Sequence, residues 1–150
     1  MILAVDPGPK TCGWVAYDDR TRRVTESFAK MPVEDVVSQL RHADRTCAVA
    51  IERCQSYGQS GDSLLQTSEV VGRLWQSAKY FDMEVHLIFR REVLRHLDVL
   101  GSKGNRDKLV RARLIQILGP KGTKKNPGPC FGVSSHAWQA LGVAVTAAGH

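Results

Sequence analysis

Met1-Ile2-Leu3-Ala4-Val5-Asp6-Pro7-Gly8-Pro9-Lys10-Thr11-Cys12-Gly13-Trp14 opens the chain, and its reading decides the fold. The run from Ile2 to Asp6 is short and apolar, as a central buried strand is. Asp6 stands at its tip, and turn residues follow at once. A lone carboxylate there costs several kcal/mol unless it is paired, hydrogen-bonded or bound to a metal. A second apolar run, Ala48-Val49-Ala50-Ile51, also ends in an acid, Glu52. Two strands that each finish in a carboxylate point to one site built from neighbouring strand ends.

Outward from the opening stretch, Cys12 to Tyr17 and Arg23 to Ala29 read as two further strands joined by a polar turn, making an antiparallel meander. Val33, Val36, Val37 and Leu40 fall at helical spacing over 33–43. Thr46 to Glu52 returns as a strand. After a Gly, Ser and Gln loop, Ser63 to Tyr80 has the broad apolar face of a long helix, and Val85 to Phe89 is a fifth strand. Helices are expected at Arg91 to Leu97 and Asp107 to Leu118. The segment 119–132, with its Gly-Pro punctuation and three lysines, reads as a loop. Ser134 or Ser135 is expected to cap a last helix that runs to Ala148. This order predicts one α/β domain over 1–150, a five-stranded mixed sheet with helices on both faces.

Composition narrows the function. A chain of 150 residues, 43% hydrophobic and 24% charged, suits a single globular domain. No apolar run is long enough to span a bilayer, and the N-terminus has no basic region of a signal peptide. Cys12, Cys47, Cys54 and Cys130 lack metal-knuckle spacing, so free thiols in a reducing cytoplasm are expected. The net charge of +6 is regional. Between Arg90 and Lys125 eleven Lys or Arg face three acids, a local excess of eight, so the rest of the chain sums to −2. Concentrated basicity favours a polyanionic partner, with nucleic acid first among candidates.

Asp6 and Glu52 come close if their strands lie side by side. Carboxylates that near repel unless one is protonated or a cation lies between them. An oxygen donor set of this kind suits Mg²⁺, which binds through one or two carboxylates plus waters and substrate phosphate. Either acid alone could instead be a structural strand-end group. His136 falls in the first turn of the last helix, and Gln139 lies three residues later on the same face.

Ile2-Leu3-Ala4-Val5-Asp6-Pro7-Gly8 with Gly13 resembles the opening motif of the RuvC family of Holliday-junction resolvases, within the RNase H-like nuclease superfamily. Ala50-Ile51-Glu52 resembles the family's second acidic strand end. Arg91-Glu92-Val93, Gly101-Ser102-Lys103-Gly104 and Asp107-Lys108 resemble its strand, basic loop and helix, and His136 to Ala144 resembles its last helix. The resemblance implies an RNase H-like fold and a metal-dependent endonuclease that resolves four-way DNA junctions by paired symmetric nicks. It implies that Asp6, Glu52 and His136 hold Mg²⁺, with Mn²⁺ as a substitute, and that Lys108 stabilises charge at the scissile phosphate. Gln139 falls where the family has an aspartate, so the expected metal set is one charge short. Either an inactivated variant or altered metal use follows.

The resemblance also implies a homodimer, with helix Ser63 to Tyr80 as its surface and Leu74 and Trp75 as candidate contacts. Tyr57 would stack on a base at the crossover. Arg90, Arg91, Lys103, Arg106, Lys108, Arg111, Lys121, Lys124 and Lys125 would line one DNA groove. Two further readings stand beside this one: a branched-DNA-binding protein without cleavage, and a general RNase H acting on RNA–DNA hybrids. An actin-like ATPase shares the opening motif but needs a second phosphate-binding repeat and a much longer chain.

Overall fold

A computed structural model of the chain describes residues 1–56, 58 and 61–150. The strands are β1 (Ile2–Pro7), β2 (Thr11–Asp18), β3 (Arg23–Pro32), β4 (Ala48–Arg53) and β5 (Glu84–Phe89). The helices are α1 (Val33–His42), α2 (Asp62–Tyr80), α3 (Arg90–His96), α4 (Arg106–Leu118) and α5 (Ala137–Ala148). The sheet runs in the order β3-β2-β1-β4-β5. β2 pairs antiparallel with both β1 and β3, and β4 and β5 are added in parallel. This is the predicted five-stranded mixed sheet. No helix is long and apolar enough to cross a membrane among the described residues.

Strand alternation decides which residues meet which helices. Leu3 and Val5 of β1, with Val49 and Ile51 of β4, pack beneath α1 and α2 against Val36, Leu40, Val71 and Leu74. Ile2 and Ala4, with Ala50 and Ile88, pack on the other face against α3, α4 and α5. Asp6 follows Ala4, and Glu52 follows Ala50, in the same alternation. Both acids are thereby directed to the α5 side. Val5 is paired with Ile51, so the acids stand one step further along two adjacent parallel strands.

Leu74 is fully buried among these side chains, so it belongs to the core and not to an exposed dimer surface. Trp75, 40% exposed, and Leu65, 55% exposed, remain on the outer side of α2.

The last helix starts later than the serines predict. Its N-cap is His136, which makes no side-chain capping bond. Ser135 has φ 45°, and the first bonds come from the backbone instead: Ala137 N–H to Ser134 O at 3.0 Å and Trp138 N–H to Ser135 O at 3.2 Å. A backbone turn has replaced the side-chain cap. Gly13 of β2 admits that turn, because a Cβ there would stand 2.4 Å from the His136 carbonyl oxygen. Gly13→Ala should therefore push β2 and the start of α5 apart, at a cost of about 2–3 kcal/mol. For a chain of this size the melting temperature should fall by roughly 6–10 °C; an unchanged midpoint in calorimetry would refute the close packing.

Candidate active site

Each functional side chain is set by a local structural cause. Asp6 and Glu52 come from the adjoining ends of β1 and β4. Arg90 is the first residue of α3, whose start is secured by Glu92 Oε2 accepting the Phe89 N–H at 2.7 Å. Asn105 caps α4 by accepting the Lys108 N–H at 3.1 Å, which places Asp107 and Lys108 in the first turn. His136 and Gln139 come from the start of α5.

The structure brings Asp6 near Glu52, on the paired strand, and near His136, at the start of α5. His136 Nδ1 lies 3.7 Å from Asp6 Oδ2, with the imidazole largely exposed and the carboxylate largely buried. Burial raises the Asp6 pKa to about 6, against the pull of His136 and Arg90. Burial, then the charge of Asp6, raises that of Glu52 to about 7, again against Arg90. Burial thus disfavours the ionised form of both carboxyls, and the Asp6 charge adds to that effect at Glu52. Glu52 Oε2 is buried without a hydrogen-bond partner, and Arg90 Nη1 stands 3.6 Å from it.

Gln139 is near these acids but engaged elsewhere. Its Oε1 accepts a hydrogen bond from Arg90 Nη1, and its Nε2 donates to Asp107 Oδ1 at 2.9 Å. Arg90 Nη2 closes the triangle on the same Asp107 oxygen at 3.1 Å. The sequence reading assigned Arg90 to DNA and gave Asp107 no role. In the structure Arg90, partly exposed, is a cation shared by Glu52, Gln139 and Asp107, and Asp107 is a further acid beside the site. The signal for Asp107 was present in its place one residue before Lys108, behind the Asn105 cap.

The basic residues divide into two groups. Arg90, Arg91 and Arg106 line a cleft of about 490 Å³ that reaches Glu52. Arg53, missed in the sequence, lines the same cleft, with its guanidinium 5.2 Å from the Phe89 ring centre. Lys108 and Arg111 line a notch of about 250 Å³ with Asp107, His136 and Gln139, and Arg111 sits 5.2 Å over the Trp138 ring. Lys103 is exposed on the loop between α3 and α4. Lys121, Lys124 and Lys125 are not part of this surface. Their loop is tied to the start of β3, where Val24 N–H donates to Pro129 O at 2.9 Å. That is the opposite end of the sheet from Asp6, so the expectation of a single groove is corrected. The chain from α4 must cross the sheet before it returns along β3 to α5. Tyr57 lies outside the described residues.

Among the described residues no group of three or more His, Cys, Asp and Glu is arranged to hold a metal ion. The donor chemistry nevertheless fits a divalent cation at the Asp6–Glu52 pair. Two oxygen ligands with raised pKa values and one orphaned carboxylate oxygen gain from a cation between them.

No protein-family model matches the sequence, and no curated protein matches it. Among solved structures, the chain is similar to Thermus thermophilus RuvC, with a TM-score of 0.69 and 19% identity over 99% of this chain and 93% of that one. It is also similar to T. thermophilus RuvC in complex with a Holliday junction substrate, with a TM-score of 0.67 and 20% identity over 99% and 92%. The likeness shows a shared α/β, RNase H-like fold.

Proposed function

We propose that this chain is a metal-dependent, structure-selective endonuclease that resolves four-way DNA junctions by paired symmetric nicks. The observation that carries the reading is the Asp6–Glu52 pair, two largely buried carboxylates of raised pKa at adjacent strand ends, with arginines lining the cleft at Glu52 and Lys108 in the notch beside His136. The solved relative of the same fold was captured with a Holliday junction, which supports this substrate class.

Asp6 and Glu52 would hold Mg²⁺, or Mn²⁺ in its place, with His136 as the third group at its edge. When bound, such an ion supplies a water of lowered pKa and charge stabilisation for phosphodiester hydrolysis. Lys108 and Arg111, in the notch beside His136, are placed to attract a phosphate and offset its developing charge. Arg91 and Arg106 extend that attraction across the Glu52 cleft. Resolution needs two symmetric cuts, so a two-fold homodimer is part of the proposal, with Leu65 and Trp75 on α2 as the contact.

The second reading, branched-DNA binding without cleavage, is favoured by one observation. Gln139 is neutral, and Arg90 already offers a cation to Glu52. One experiment separates the readings: a synthetic immobile four-way junction, linear duplex and RNA–DNA hybrid, each with and without Mg²⁺ or Mn²⁺. Paired nicks in the junction alone are expected. Tight junction binding with no product would select the second reading. Hybrid cleavage with indifference to the junction would make the chain a general RNase H.

A further inference from the structure

Six cations gather at the end of the sheet far from Asp6, on two loops that hold each other. The turn between β2 and β3 carries Arg20, Arg22 and Arg23, all exposed. The segment after α4 carries Lys121, Lys124 and Lys125. Arg23 Nη2 donates to Pro127 O at 2.7 Å, and Val24 N–H donates to Pro129 O at 2.9 Å, so the loops are docked.

The lysine segment is a built hairpin. Gly122 bridges to Pro127 in antiparallel fashion, and Gly128 N–H donates to Lys121 O at 2.8 Å. Thr123 and Asn126 exchange backbone bonds of 3.0 and 3.1 Å, which puts Lys124 and Lys125 at the tip. Gly128 is packed so closely that a Cβ would lie 2.0 Å from the Pro120 carbonyl oxygen. The backbone of the tip is thereby ordered, with Lys124 and Lys125 exposed on it, so binding there avoids the backbone ordering cost of a loose loop.

The local acids are already committed. Asp18 Oδ1 accepts the Arg20 N–H at 3.0 Å and its Oδ2 accepts the Thr21 hydroxyl at 2.8 Å, closing the turn. Asp19 takes the N-terminal ammonium at 2.7 Å. Among the described residues no carboxylate forms an ion pair with Arg20, Arg22, Lys121, Lys124 or Lys125. β1 and α4 both run the length between the acids and this patch, roughly 20 Å for a six-residue strand or a thirteen-residue helix.

We propose that the Lys121–Lys125 hairpin and the Arg20–Arg23 turn form a second phosphate-backbone site, which grips a duplex arm about 20 Å from the acids. The inference rests on the junction reading above and deepens it. At 3.4 Å per base step, the contact falls about six base pairs from the scissile position. Its contacts are to phosphates, so they set register and reach without reading sequence.

The test compares the full chain with K121A/K124A/K125A on four-way junctions whose arms are about 20 or about 5 base pairs long, across a salt series. With long arms, the variant should bind at least tenfold more weakly near 0.1 M salt, and the log–log salt slope should drop by about 2–3. With short arms the two proteins should bind alike. R20A/R22A, in the other loop, should shift the long-arm slope in the same direction. Equal slopes on long arms, or equal losses on long and short arms, would overturn the second site, and the former would leave a solvated surface or an acidic protein as its partner. A linear duplex of matched length separates the two claims. Equal affinity for duplex and junction would defeat the junction reading, while a hairpin-dependent slope on that duplex would still support the patch.

Discussion

Glu52→Gln is expected to reduce Mg²⁺-dependent junction cleavage by about 10³-fold or more while making the metal-free protein more stable above neutral pH. The two effects have one cause. In the folded chain, burial and the neighbouring Asp6 raise the Glu52 pKa to about 7 from an ordinary 4.5. The fold therefore prefers the protonated acid, and the unfolded chain does not. Below pH ~4.5 both states carry the proton and Glu52 makes no difference to stability. Between pH ~4.5 and ~7 the unfolded chain ionises first, so stability is lost as pH rises, and the loss is complete above ~7. A neutral glutamine escapes that loss. At pH 8 and without divalent ions the variant should be more stable by on the order of 2–3 kcal/mol, whereas at pH 4 the difference should vanish. Mg²⁺ should stabilise the parent chain and leave the variant nearly unmoved, because binding to the folded state alone raises its stability. Thermal melts at the two pH values, with and without Mg²⁺, check this alongside a cleavage assay. A variant that cuts at the parent rate, or is less stable at pH 8, would remove Glu52 from the site.

The fold was legible in the sequence to the degree that local pattern controls it. The short apolar runs of β1 and β4 announced buried strands, and their parallel pairing brought Asp6 beside Glu52 as expected. What escaped was long-range. The capping serines looked sufficient in sequence, yet the helix starts at a backbone turn whose His136 carbonyl lies against Gly13, far away in the chain. Lys121, Lys124 and Lys125 follow Lys108 and Arg111 in a continuous basic segment, but α4 carries the chain across the sheet between them. Charge runs report composition along the chain, and only the path through space says which cations share a surface. Arg90 shows the reverse case: a residue grouped with the DNA-facing cations also stands between Glu52, Gln139 and Asp107, because α3 begins beside Glu52.

Gln139→Asp is expected to strengthen Mn²⁺ binding and to speed junction cleavage, each by about tenfold or more, and to weaken the metal-free fold above neutral pH. As it stands, the Gln139 side chain serves two opposite charges, accepting from Arg90 and donating to Asp107. An aspartate could still accept from Arg90, but it has no donor for Asp107 and would set two like charges against each other. Without divalent ions, that repulsion adds to the existing one between Asp6 and Glu52. A divalent cation relieves both, so its affinity should rise as the fold without it weakens. The combination Q139D/D107N removes the new clash while keeping the added charge near the pair. It should restore the metal-free melting temperature and retain the tighter Mn²⁺ binding, which calorimetric titration can read without any cleavage assay. If Q139D binds Mn²⁺ and cuts no better than the parent, the neutral side chain is no handicap and the bridge from Arg90 to Asp107 is its role. If it binds more tightly yet leaves the junction intact, the missing charge accounts for affinity alone and the non-cleaving reading gains. A faster cut by Q139D would place the limit on this chain's activity at one side chain.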